Sequence, residues 1–191
     1  MKREDRSKVL FEGLWTRRGV LAGGLAGLTG FFLVGADRRA RAAESAIQTL
    51  PEATRAALQK SPLVYISPLL AGGAESSCHG EVWFCVDEGS VVIVTAADRW
   101  KAKAIREGRD RARLWVGDFG SVGQSGGRYR KAPSFDAEAE IVSDRALFDR
   151  LMKAFGGRYP DDWAKWKPRF EKGFADGSRV MIRYSPSAAK G

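Results

Sequence analysis

The sequence predicts a mainly β fold of the α+β class, a compact barrel of six strands decorated by short helices. Three observations carry that prediction. Short apolar runs rich in β-branched and aromatic residues recur between positions 63 and 185, separated by turn-forming residues. The helical patterns between and after them are brief and do not alternate regularly with the strands, which argues against a doubly wound parallel sheet. No internal repeat is present, and about 150 residues follow position 42, the usual size of a domain with one core.

The elements follow in order. Leu50, Ala53, Ala57 and Leu58 suit a short amphipathic helix over Pro51 to Gln59, with Pro51 near its first turn and Ser61-Pro62 closing it. Leu63-Val64-Tyr65-Ile66 is the first strand. Val82-Trp83-Phe84-Cys85-Val86 is the second, and Asp87-Glu88-Gly89-Ser90 has the turn chemistry of a hairpin leading into Val91 to Thr95. A basic helix runs from about Asp98, a suitable N-cap, to Glu107, with Gly108 at its end. Ala112 to Asp118 is a further strand, and the glycine-rich stretch Phe119 to Ala132 reads as a flexible loop. Phe135, Ala137, Ala139 and Ile141 alternate with Asp136, Glu138 and Glu140, the pattern of a strand with one wet face. Leu147, Phe148, Leu151, Met152 and Phe155 recur at helical spacing up to Gly156-Gly157. Trp163, Trp166 and Phe170 form a second apolar stripe interrupted by Pro168, and a last strand runs from Arg179 to Ser185, before Pro186.

The 191 residues carry a formal charge of +9, and its placement divides the chain. Residues 1–42 hold nine basic and four acidic side chains, more than half of the excess. Within them Thr16-Arg17-Arg18-Gly19 precedes an apolar run to Ala36 that is weakened as a membrane span by glycines at 19, 23, 24 and 27. This resembles a twin-arginine export signal, and Ala40-Arg41-Ala42 suits cleavage before Ala43. The expected organisation is an export signal over 1–42 and one domain over 43–191, destined for the periplasm or another extracytoplasmic location. Membrane attachment would come only through an uncleaved signal. That route carries folded proteins, most often ones loaded with a cofactor. The remaining charges are mixed in sign, and the aromatics do not interleave with basic residues, so a nucleic-acid partner is not expected.

Little conventional catalytic material is present. One histidine and two cysteines leave nothing for a His/Cys metal cluster or a disulfide scaffold. His79 is the only histidine. Its neighbours Ser77 and Cys78 give no nucleophile and base pair on a regular strand, so it reads as a structural side chain or one lining a cleft. Cys78 and Cys85 would lie roughly 23 Å apart on one strand, against about 7 Å for a disulfide, and are expected as free thiols. The glycines from 117 to 127 lack phosphate-loop spacing.

The basic helix is the exception. At 100° per residue Trp100, Ala104 and Ile105 define its apolar side, and Lys101 falls within that arc while Arg99, Lys103 and Arg106 fall opposite. A lysine turned toward the barrel needs an anion, because an unpaired buried ammonium is costly. A ligand phosphate beyond Thr95 would supply one; snorkelling along Trp100 to water is the alternative.

The segment Val82-Trp83-Phe84, the hairpin, Val91 to Thr95 and Ala96-Ala97-Asp98-Arg99-Trp100-Lys101 resembles the pyridoxamine 5′-phosphate oxidase-like superfamily, from about Leu50 to Pro186. The resemblance implies a six-stranded split β-barrel that forms a homodimer. It places FMN, or a deazaflavin, in a groove at the dimer interface. Thr95 and Lys101 match positions that grip the cofactor phosphate, and the strand from Gly80 through Val82 to Trp83, with His79 just before it, matches the one bordering the ring system. Where the true oxidases place a basic pair on this strand, this sequence has His79 and Phe84. Phosphate binding is therefore weaker, or completed by Arg128, Arg130 or Lys131. The implied activity is a flavin-dependent oxidoreduction of a small-molecule substrate that the residues do not identify. Two alternatives stand beside it: a haem-binding or haem-degrading split barrel with His79 as axial ligand, and a non-catalytic dimerisation domain.

Overall fold

In the computed structural model, residues 45–187 are described, so the twin-arginine segment and its cleavage pattern lie outside the described residues. Residues 45–49 are helical and precede α1 (Glu52–Lys60), β1 (Leu63–Pro68), β2 (Gly80–Val82), β3 (Cys85–Asp87) and β4 (Ser90–Ala96). There follow α2 (Trp100–Arg106), β5 (Arg111–Gly117), the single turn α3 (Val122–Ser125), a 3-10 turn (Arg128–Lys131) and β6 (Ser134–Val142). The helix pair α4 (Arg145–Arg158) and α5 (Pro160–Ala175) leads to β7 (Arg179–Pro186). No helix among the described residues is long and apolar enough to cross a membrane.

The strands form one antiparallel sheet in the order β2-β1-β5-β6-β7-β4-β3. Its two outer strands, β2 and β3, are separated in sequence only by Trp83 and Phe84. The chain from Val82 to Cys85 spans at most roughly 11 Å, so the sheet must curl until its edges approach each other. This is the expected mainly β split barrel, with seven strands because the apolar run from Val82 to Val86 breaks in its middle. Tyr159 makes the break possible. Its hydroxyl accepts from the Phe84 N–H at 3.0 Å and lies 2.9 Å from the carbonyls of Pro62 and Phe84, replacing ladder partners that the corner lacks.

At β4 the sheet is covered on both faces, which explains the unbroken apolar run of that strand. Val91 and Ile93 point into the barrel with Val64, Ile66, Leu114 and Ile182. Val92 and Val94 point outward against Leu147, Leu151 and Phe155 of α4. A third cluster, Tyr65, Trp115 and Tyr129, lies where the segment after β5 covers the outer face of β1 and β5. The hairpin before β4 is as expected: Glu88 and Gly89 both have positive φ, 48° and 73°, the conformation of a primed two-residue turn.

Other expectations need correction. Residues 119–132 are not a structureless loop. Ser121 and Gln124 form a capping box that opens α3, and the 3-10 turn follows. Gly156-Gly157 do not stop α4. A Cβ at Gly156 would lie 2.9 Å from the Trp163 Nε1, so that glycine serves the close approach of α5. Pro168 lies exposed inside α5, where its missing N–H interrupts one helical bond without ending the helix. Pro51 is the N-cap of α1, and α2 opens after Arg99 with no side-chain cap, so Asp98 does not cap it. Both cysteines are free, with Cys85 buried and Cys78 exposed.

Candidate functional site

α2 starts four residues after β4 ends and turns Lys101, Ala102 and Ala104 inward while Arg99, Lys103 and Arg106 face solvent. Lys101 retains only 9% of its exposure. Its stem and ammonium occupy the space left by a missing side chain on β2: a Cβ at Gly80 would lie 2.8 Å from Lys101 Nζ and 3.3 Å from the Trp100 ring. Gly80 is therefore a close-approach glycine, and Lys101 lies beneath the sheet edge. Nζ sits 4.2 Å from the centre of the Trp100 ring. Among the described residues it has no hydrogen bond and no ion pair. Burial pushes Lys101 down to about 8, Glu81 pulling it up and Arg99 pushing it further down.

Thr95 shares this face by parity. Val91, Ile93 and Thr95 point to the same side of β4, and Gly80 and Val82 share the inner side of β2, where Val82 and Trp100 pack against the interior cluster. Thr95 is 8% exposed, and its hydroxyl has no hydrogen bond among the described residues.

His79 and Arg130 belong to a different set. His79 Nδ1 lies 2.9 Å from the Tyr129 hydroxyl, and its Nε2 lies 3.1 Å from Arg130 Nη2. A guanidinium can only donate, so Nε2 accepts and the ring proton sits on Nδ1, directed at the Tyr129 oxygen. Burial first, and the Arg130 charge second, hold His79 below the usual histidine range. Arg130 also meets Glu75 at 3.4 Å, and Glu75 lies 3.7 Å from Arg113, which forks onto Asp136 at 2.7 and 3.1 Å. Arg130 is thus committed to protein partners. Arg128 donates to the Ser125 carbonyl.

Trp83 is placed elsewhere again. It stacks on Tyr159 at 4.3 Å and 1°, and meets Phe155, Trp166 and Phe170 edge-on. Of the residues singled out by sequence, Gly80, Val82, Thr95 and Lys101 share the inner side. His79 adjoins Gly80 but engages Arg130, and Trp83 packs beneath the helix pair. The partners of His79 and Arg130, Tyr129 and Glu75, carried no motif in the sequence. Only the Arg128-Tyr129-Arg130-Lys131 run marked that neighbourhood.

No family model and no curated protein matches the sequence. Solved structures do match the fold. The conserved hypothetical protein Rv2991 from Mycobacterium tuberculosis is 20% identical, with 73% of this chain and 82% of that one covered at a TM-score of 0.50. HutZ, the heme storage protein from Vibrio cholerae, is 12% identical over 71% of this chain and 88% of its own, at 0.47. A FAD-binding protein from Mesorhizobium loti is 10% identical over 71% and 88%, at 0.45. The fold is that of the pyridoxamine 5′-phosphate oxidase-like split barrels, a mixed α+β architecture with a curled seven-stranded sheet.

Proposed function

We propose that the chain is an exported flavin-dependent oxidoreductase that works as a homodimer, with FMN as the first choice of cofactor and a small molecule as substrate. The observation that carries this reading is Lys101, an inward ammonium with no hydrogen bond or ion pair among the described residues and with Glu81 acting on it only from beyond ion-pair distance. The residues fit the phosphate end of a flavin nucleotide. Lys101 would supply the charge and Thr95 an unengaged hydroxyl, and a bound phosphate would restore the lysine toward its ordinary range. Gly80 keeps the room that the lysine needs. Among the described residues β2 pairs only with β1, so its outer backbone groups are available to hold the ring system or a second protomer. Arg130 is already paired and is not needed for this grip.

When bound, the flavin supplies the hydride chemistry, while the protein positions and tunes it. The absence of an acid-base constellation in the sequence is compatible with that division of labour. The haem reading is weaker because both nitrogens of His79, its only candidate imidazole, are engaged by Tyr129 and Arg130. The spectrum of the purified protein decides. Flavin absorption at about 450 nm, native or after adding FMN, is expected. A Soret band would favour the haem reading, and a colourless protein that takes up no flavin would overturn ours.

A further inference from the structure

A cleft that shares no lining residue with the Lys101 site opens between α1, the β3 edge and α4. Its volume is about 610 Å³, within the range of small-molecule sites. Leu58, Cys85 and Ala154 contribute apolar lining, and its charged lining is Glu52, Arg55 and Arg158.

Two of these side chains are incompletely used. Arg55 directs Nη1 to Gln48 and Nη2 to Glu52, but its Nε is buried and has no acceptor. Buried donors in native proteins are almost always paired, so this shielded orphan N–H, on a residue that lines the cleft, is a donor left for an acceptor once the side chain turns. Arg158 bonds the carbonyls of Leu58 and Ser61 through Nη2 at 2.9 and 2.5 Å, lies over the Phe84 ring at 4.4 Å and acts on the Tyr159 hydroxyl. It has no acidic partner among the described residues. Against Glu52, the two guanidiniums leave the lining with a single net positive charge. Cys85 takes no ionic part, because burial pushes its thiol up to about 12.

We propose that this cleft binds a small organic monocarboxylate, its carboxylate taken by Arg55 and Arg158 and its apolar body laid along Leu58, Cys85 and Ala154. One net charge favours a monoanion over a phosphate dianion, and the apolar lining favours an organic body over an inorganic ion. The site is independent of the flavin reading.

Calorimetric titration of the purified full chain with octanoate, octyl phosphate and octan-1-ol tests it. Octanoate should bind saturably at one per chain, with octan-1-ol and octyl phosphate each about tenfold weaker, and without changing flavin absorption. Arg55→Gln should weaken octanoate about tenfold by removing the buried donor. Ala154→Leu, on the exposed side of α4, should block the cleft while leaving the melting temperature unchanged. No saturable octanoate binding up to roughly 10 mM, equal binding of octan-1-ol, tighter binding of octyl phosphate, or binding unaffected by both variants would each overturn the proposal.

Discussion

Two tryptophans bracket the short β2 strand and its corner, and their surroundings differ in kind. Trp83 lies among rings, stacked on Tyr159 and met edge-on by Phe155, Trp166 and Phe170, and Tyr159 also satisfies the backbone beside it. Everything there is partnered. Trp100, packed near Gly80, has beside it a buried ammonium that makes no ion pair among the described residues, Glu81 acting on it only from beyond ion-pair distance. The first region completes itself by folding, while the second leaves a buried ammonium without a direct partner among the described residues. Burial with all partners present is a sufficient structural explanation. Burial that leaves a charge unmet calls for something outside the chain.

Breaking the self-sufficient region should have the largest effect on stability. Phe155 is fully buried, and Phe155→Ala should cost about 3–5 kcal/mol in chemical denaturation, loosening the helix pair from the sheet. A loss below about 1 kcal/mol would mean that this cluster does not anchor the corner.

The opposite sign is expected at Lys101. Its folded pKa, about 8, lies below the ordinary 10.5, so the unfolded chain holds the proton more tightly between those values. Stability of the cofactor-free protein should therefore rise with pH across that window. Lys101→Met should remove the rise and stabilise the cofactor-free protein at pH 7 by on the order of 3 kcal/mol, the equivalent of that displacement. Melting curves at pH 7 and pH 10 check both statements. A destabilised variant at pH 7 would contradict the unmet charge.

Gly80→Ala sharpens the comparison. The new methyl would meet the movable end of Lys101, so the expected cost is only about 1 kcal/mol, but the ammonium must shift. Flavin retention should fall more than stability does, by absorbance against thermal melting. A parallel loss of both would make Gly80 merely structural.

The smallest effect is expected at His79. Burial and Arg130 hold its folded pKa below the ordinary 6.5, so its contribution is complete above that value and is lost as pH falls through the lower folded one. Between pH 7.5 and 5 the melting temperature of the wild type should drop slightly more than that of His79→Gln. Identical slopes would show that the Tyr129 and Arg130 contacts do not govern its protonation.

Much of this organisation was legible in the sequence where local pattern decides. The hairpin before β4, the alternation in β6 and the inward turn of Lys101 follow from period and turn chemistry. The break at Trp83-Phe84 was not legible, because every residue from Val82 to Val86 is apolar and the group that stabilises the corner, Tyr159, lies 75 residues from Phe84. Gly156 read as a stop because glycine signals both termination and close packing, and only the position of Trp163 separates them. In the segment 119–132 the Ser121-to-Gln124 spacing was a visible capping signal, outweighed by the glycines around it. At the candidate site, sequence could orient Lys101 but could not pair Arg130 with Glu75 and His79 across more than fifty positions.

The central claim is that the anion missing beside Lys101 is a flavin phosphate. FMN titration of cofactor-free wild type, Lys101→Ala and Lys103→Ala, read by flavin fluorescence quenching, tests it most directly. Lys101→Ala should weaken FMN about tenfold or more, while the solvent-facing Lys103→Ala should bind as the wild type does. Equal losses in the two variants, or a wild type that takes up no FMN, would contradict it.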